Sequence, residues 1–423
     1  MIVTLHSLKH CLVYVINLHL QNLTPHKVVY YMKNHYIYLI SALFVLLPVA
    51  AVRPMTSLFA ETLDATMTEI GFITACYSVT PFLLAIFAGR FVDKYGEKIP
   101  ILIGSVSLVI ALILPYLFPV LLTLYISQLI LGGAQLLAIV AIQNGVASSV
   151  PPSKRDQAFA NMSLFTSLGL MFGPLIGGYS TEHLGFQHSF LLFVFFSIVP
   201  LVLSLIIKKS NQQKLNSDKI KTMGVRKLLS IPKLKLSIFI SMINLAAIDI
   251  FNVYYPLYSS SIGMSPSEIG WILTITALAS VAIRVFISTL TEKLGRAKLI
   301  SIFMFCGAVS YLAVPLTSYY PLIILISILL GCGLGITQPL TTIVSYNLAP
   351  IGHTGEVLGI RLAGNRFSQI ITPVIFAGIS NLIGLGAIFI FEAILLGAGA
   401  VLAKGIRTRE GPTMKKKPKI RSM

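Results

Sequence analysis

Runs of about 20 apolar residues recur along this chain, and no other feature constrains its fold as tightly. Twelve can be marked, at 36–59, 69–90, 98–117, 120–148, 157–180, 187–207, 236–259, 268–290, 298–317, 320–346, 356–380 and 384–404. A helix rises about 1.5 Å per residue, so each run is long enough to cross a hydrocarbon core about 30 Å thick. Inside that core no water serves the backbone N–H and C=O groups, and runs of this length satisfy them internally only as helices. Charged residues make up 11% of the chain, against about a quarter in soluble proteins. The expected fold is an all-α membrane protein with twelve transmembrane helices. Residues 1–35 contain "CLVYVINLHL", too short to span and without a small-residue cleavage site. They are read as a dispensable N-terminal extension, with Met32 as an alternative start. Cys11, Cys76, Cys306 and Cys332 stand singly in apolar surroundings, which gives neither metal-ligand spacing nor a disulfide framework.

A net charge of +18 would suit nucleic acid, but its placement does not. With the N-terminus taken as cytoplasmic, the inward connections hold "FVDKYGEK", "PPSKRDQ", the run from Lys208 to Lys235, "TEKLGRAK" and the basic tail. Outward connections such as "AETLDATMT" and "TEHLGFQ" hold no Lys or Arg. Basic residues flanking spans on one side only are the positive-inside signal, so both termini are expected in the cytoplasm of a multi-pass cell-membrane protein. The basic excess then faces the anionic lipids of the inner leaflet, and nucleic acid is not a partner.

The run 208–235 divides six spans from six, and a shift of 199 residues lays one half on the other. Glu69-Ile70-Gly71 falls on Glu268-Ile269-Gly270, and Asp93-Lys94-x-Gly96 falls on Glu292-Lys293-x-Gly295. Gly132 meets Gly331, Pro151 meets Pro350, and Pro174 meets Pro373. Coincidence in apolar sequence rarely strikes glycine, proline and acid–lysine pairs in one register. The expected domains are a six-helix bundle over 36–207, a basic linker over 208–235, a second bundle over 236–404 and a tail over 405–423. Parallel repeats flanking a midplane site are one way transporters are built.

The stretch "GRFVDKYGEK", through Gly89, Asp93, Lys94, Gly96 and Lys98, resembles the loop between the second and third helices of the major facilitator superfamily. The copy "STLTEKLGRAK", with Glu292, Lys293 and Gly295, is degenerate, having Ser288 where glycine would stand. The resemblance implies two pseudo-symmetric six-helix bundles and a gate. Gly89 would let the second helix press on a neighbour. Asp93 would cap the N-terminus of the eleventh helix, near Thr354-Gly355-Glu356, in the outward-facing form. Gly96 permits a sharp turn, and Lys94 and Lys98 hold the loop on the cytoplasmic side.

The fifth span reads "SLGLMFGPLIGGYS", in which Gly169, Gly173, Gly177 and Gly178 form a small-residue stripe bent by Pro174. By itself this is equally a packing seam. It is also similar to the antiporter motif of drug:proton exporters in the superfamily, which implies export. The fourth helix of those exporters carries an arginine where "QLILGGAQ" has Gln128, so the proton relay they use is not reproduced.

Ionisable groups inside spans are costly and are functional candidates by default. Arg53, followed by Pro54, and Asp249 fall at similar depth in pseudo-equivalent helices, because 249 maps to 50 under the shift. They are expected to pair across the central space or to contact substrate and proton. Arg366, Gln135 and Gln338 join Gln128 as candidates for the same pathway. Arg284 and Arg361 are expected to reach the cytoplasmic interface. Glu392 is read as a structural acid on a peripheral helix.

These features point to a secondary transporter working by alternating access, exporting a small organic solute in exchange for protons. Import of a small anionic or zwitterionic metabolite with protons is the alternative. A membrane enzyme would need a catalytic cluster that the scattered histidines do not form, and no phosphate-binding loop points to ATP. A sensor or scaffold would carry large appendages, and the longest internal loop is under about 30 residues. No cofactor or metal is expected, and a monomer is.

Overall fold

The computed structural model describes residues 25–151, 154–207, 224–350 and 353–406. Residues up to 24, the linker stretch 208–223 and the tail from 407 lie outside the described residues. The membrane helices are α1 (Pro25–Thr62), α2 (Met67–Tyr95), α3 (Lys98–Leu117) and α4 (Leu121–Ser148). A continuous helical stretch, Arg155–Ile206, turns back at Gly185 (φ 78°, ψ 166°) to give α5 and α6. Then follow α7 (Pro232–Ser261), α8 (Pro266–Arg284), α9 (Arg296–Ala313), α10 (Tyr320–Leu348), α11 (Thr354–Ile383) and α12 (Leu385–Leu402). Among the described residues eleven stretches are long and apolar enough to span, and the one broken at Gly185 crosses twice. Twelve crossings result.

The repeat extends to the backbone. Asp64 (φ 58°), Gly96 (φ 75°) and Gly185 (φ 78°) recur 199 residues later as Gly263 (φ 87°), Gly295 (φ 75°) and Gly384 (φ 97°). These left-handed positions are where helices stop, and glycine or a short polar residue takes them at least cost. Helix starts repeat too. Thr66 with Glu69 caps α2, and Ser265 with Glu268 caps α8, each a reciprocal box in which hydroxyl and carboxylate satisfy free N–H groups.

One element departs from its partner. The second helix runs unbroken for 29 residues, whereas the expected span 268–290 ends at Arg284 and resumes after Val285 and Phe286 as the short helix Ile287–Leu294.

The bundles α1–α6 and α7–α12 meet along two crossings related by the same shift, α2 on α11 and α5 on α8. A Cβ added to Gly71 would lie 2.8 Å from the Pro373 carbonyl oxygen, and one added to Gly270 would lie 2.6 Å from that of Pro174. Only glycine admits this approach, and in lipid such close packing supplies what hydrophobic collapse supplies in water. Beside the crossings, Asn381 Nδ2 donates to Thr68 Oγ1 at 2.7 Å and Ser267 N–H donates to Glu182 Oε2 at 2.9 Å. Both bonds lie toward the face bearing the turns at 63–66 and 262–265, here the turn face. The face bearing the helix ends at 95–98, 148–151 and 348–350 is the basic face. Toward it the bundles part.

Candidate functional site

The parting encloses a cavity of about 400 Å³. Its wall takes residues from α1, α2, α4 and α5 of one bundle and α7, α8, α10 and α11 of the other. Lining residues run from Ser167 to Pro174 on α5, from Leu273 to Arg284 on α8 and from Leu362 to Gln369 on α11, none beyond the crossing points Pro174, Gly270 and Pro373, so the space lies on the basic-face side of the crossings.

At its deep end Arg53 Nη1 donates to Asp249 Oδ1 at 2.7 Å, joining α1 to α7. Asp249 is 1% exposed, while Arg53 keeps 15% exposure on the cavity wall. The guanidinium carbon of Arg53 also stands 4.6 Å from the Tyr77 ring centroid, over a face whose quadrupole attracts cations. Tyr77 in turn donates its hydroxyl hydrogen to Gln135 Oε1. Asp249 Oδ2 is buried with no hydrogen-bond partner among the described residues. A buried carboxylate satisfied on one oxygen alone is held by its ion pair and by little else.

Nearer the mouth, Arg366 Nη1 donates to Gln369 Oε1 at 2.8 Å, and Arg284 Nε donates to the Gly335 carbonyl at 3.1 Å. Neither has a carboxylate partner among the described residues. The wall thus carries Arg53, Arg284 and Arg366 and no Asp or Glu; Asp249 stands behind it. Arg284 therefore faces the cavity rather than the interface.

Other candidates fall elsewhere. Arg361 does not reach the interface: it is 6% exposed and donates to the Gln338 backbone and side-chain oxygens at 3.1 and 2.6 Å. The facing helix α10 holds one end of the guanidinium in this way, while Nε is buried with no hydrogen-bond partner among the described residues. Gln338, which also donates to the Ser241 carbonyl at 3.1 Å, is used up there and is off the wall. Gln128 is 2% exposed and donates to Thr56 Oγ1 at 2.9 Å, pinning α4 to α1 away from the cavity. Glu392 is fully buried in α12, and neither of its oxygens has a partner among the described residues.

The stripe on α5 is a seam with two sides. An added Cβ at Gly169 or Gly173 would lie 2.8 or 2.6 Å from the Leu43 or Leu47 carbonyl of α1, and one at Gly177 would lie 3.2 Å from Ala51. Gly178 abuts Pro266 and Gly270 of α8, and Pro174 lines the cavity.

At the basic face, Gly96 ends α2, its N–H donating to the Val92 carbonyl at 2.8 Å. Gly295 closes the short helix in the same way, after the exposed Glu292 and Lys293. Lys98 Nζ donates to the Leu205 carbonyl at 2.8 Å, a cation at the negative end of α6. Lys94 and Asp93 are exposed, and the Asp93 carboxylate forms no ion pair with a described residue. Gly89 departs from expectation: an added Cβ there would meet nothing within 4 Å, because α2 and α11 have separated at this end. In the first turn of α11, Glu356 Oε1 accepts from Gly224 N–H at 2.9 Å, and Oε2 lies 3.1 Å from His353 Nδ1.

Tyr77, Asn365 and Gln369 on the wall are absent from the residues picked out by sequence. Gln369, three residues after Arg366, shares its helix face. Tyr77 sits mid-span, whereas membrane tyrosines gather at the interfaces. Those were the available signals.

The family model for the Major Facilitator Superfamily matches residues 38–238 and again 236–422. An uncharacterized MFS-type transporter of Methanocaldococcus jannaschii is 22% identical over 367 residues, 86% of this chain and 95% of its own. Multidrug resistance protein 2 of Bacillus subtilis is 23% identical over 383 residues, 85% of this chain and 96% of its own. The solved nucleoside transporter NupG superposes with a TM-score of 0.75 at 14% identity, covering 88% of this chain and 99% of that one.

Proposed function

We propose, from the premise that this chain belongs to the major facilitator superfamily of membrane transporters, that it exports a small organic solute in exchange for protons. It is a multi-pass secondary transporter of the cell membrane rather than an enzyme. With the basic face cytoplasmic, as the lysine and arginine asymmetry supports, the cavity opens inward and the two crossings are the closed outer gate.

One observation carries the coupling: Asp249, buried with a free oxygen, bridges the bundles through Arg53. A proton on Asp249 cancels the ion pair, loosening α1 from α7. The sign of coupling depends on which partner the solute takes. A solute with a positive or donating end that displaces Arg53 from Asp249 competes with the proton and is exchanged for it, its negative end meeting Arg366. A plain anion takes Arg53, leaves Asp249 to be neutralised by a proton and travels with it. Likeness to a multidrug resistance protein favours export; the three wall arginines favour import of an anion as the second reading. We also propose that Asp93 docks on the N-terminus of α11 when the basic face closes. The test is a screen of everted vesicles against drugs, chelators and organic anions, with a pH dye in the lumen. Solute entry that drains lumenal acid supports exchange, and solute leaving together with protons supports import.

A further inference from the structure

A second concavity, of about 740 Å³, lies outside the transport pathway, on the flank of the first bundle between α2, α3 and α4. That volume is within the range of about 300–1,000 Å³ typical of ligand pockets. It extends toward the basic face from the point where α2 and α4 touch, Thr80 Oγ1 donating there to the Leu129 carbonyl at 2.8 Å. The wall is mostly apolar, with Thr80, Ser107 and Tyr95 among its residues, and it includes Phe87, which is 64% exposed. At its basic-face end stand Arg90 and Lys94, one turn apart on α2, with no acidic partner among the described residues.

An apolar hollow in a membrane wall does not hold water, and left empty it forfeits dispersion contacts. An acyl chain fills it. The two cations at the rim then select the headgroup: a phosphate accepts from an arginine fork and an ammonium, and a headgroup with a choline cancels part of that attraction. We infer that this groove binds one anionic phospholipid of the leaflet on the basic face, chain among Phe87, Ile103 and Leu137, phosphate between Arg90 and Lys94. The pseudo-symmetric position of Arg90 is Thr289, and the helix there is broken before it, so one site per molecule is expected. The inference rests on the membrane reading but not on the exporter reading or on orientation.

The test uses the full-length protein, delipidated in detergent, with native mass spectrometry and thermal unfolding as readouts. One phosphatidylglycerol should be retained and should raise the unfolding temperature saturably, phosphatidylcholine binding about tenfold more weakly, as one charge-assisted bond is worth. Arg90→Gln with Lys94→Gln should erase the preference, and Leu137→Trp should block both lipids by filling the groove. Ser107→Phe on the facing wall is a second filler in case the first variant misfolds. Arg226→Gln, a cation elsewhere on the basic face, should change nothing. Equal binding of the two lipids, unaltered binding in the groove variants, or equal protection by glycerol phosphate without chains would overturn the site.

Discussion

A guanidinium and a carboxylate meet at 2.7 Å between α1 and α7, one on the cavity wall and the other sealed behind it, so losing either partner has unequal consequences. Arg53→Gln strands Asp249 in a place with no other donor, at a cost of about 3–5 kcal/mol for a broken buried pair. Asp249→Asn leaves Arg53 beside Tyr77 and within reach of cavity water, and should cost less. The double variant should unfold at a temperature above that of Arg53→Gln; a double variant as unstable as both losses added would dissolve the pair as a structural unit. The glutamines divide in the same way. Gln128→Leu gives up one neutral bond to Thr56, about 1 kcal/mol, and should leave solute affinity alone. Gln135→Leu, on the wall, should change affinity, and equal behaviour of the two would contradict the cavity's placement.

Between elements, the crossings set what can move. Gly71→Leu would drive a side chain into the Pro373 carbonyl, and Gly270→Leu would do the same at Pro174. Either should hold the turn face open and slow alkylation of a cysteine placed at Ser280 from the basic face. Unchanged alkylation in both would contradict the crossings as a gate. Asp93→Asn should insert normally yet transport poorly, because it removes about 0.3–2 kcal/mol of charge–dipole attraction at the N-terminus of α11 in the closed form. Normal transport would end that proposal. Much of this layer was legible in sequence: run lengths located the helices, and the shift of 199 put Arg53 and Asp249 at one depth. Facing was not legible. Helices apolar on all sides carry no amphipathic signal to orient them. Arg361 and Arg366, five residues apart, differ by about 140° around α11, and nothing in the string says that Arg366 faces the cavity while Arg361 turns to Gln338. The same blindness placed Gln128 on the pathway. The openness around Gly89 belongs to one conformation of a moving pair of helices, which a sequence does not specify.

For the molecule as a whole, orientation and coupling decide the function. Cysteines at Asp64 and Ser260, both exposed on the turn face, should react in intact cells with an impermeant thiol reagent. One at Ser230, exposed on the basic face, should not; the reverse pattern would invert inward and outward throughout. In the proposed mechanism protons drive transport through Asp249. Its most direct measurement is solute accumulation in everted vesicles with an acid lumen, for a solute that the unaltered protein moves, comparing that protein with Asp249→Asn. Uphill accumulation that collapses with the pH gradient is expected in the first, and only downhill equilibration in the second. Gradient-driven accumulation by Asp249→Asn at the unaltered level would contradict it.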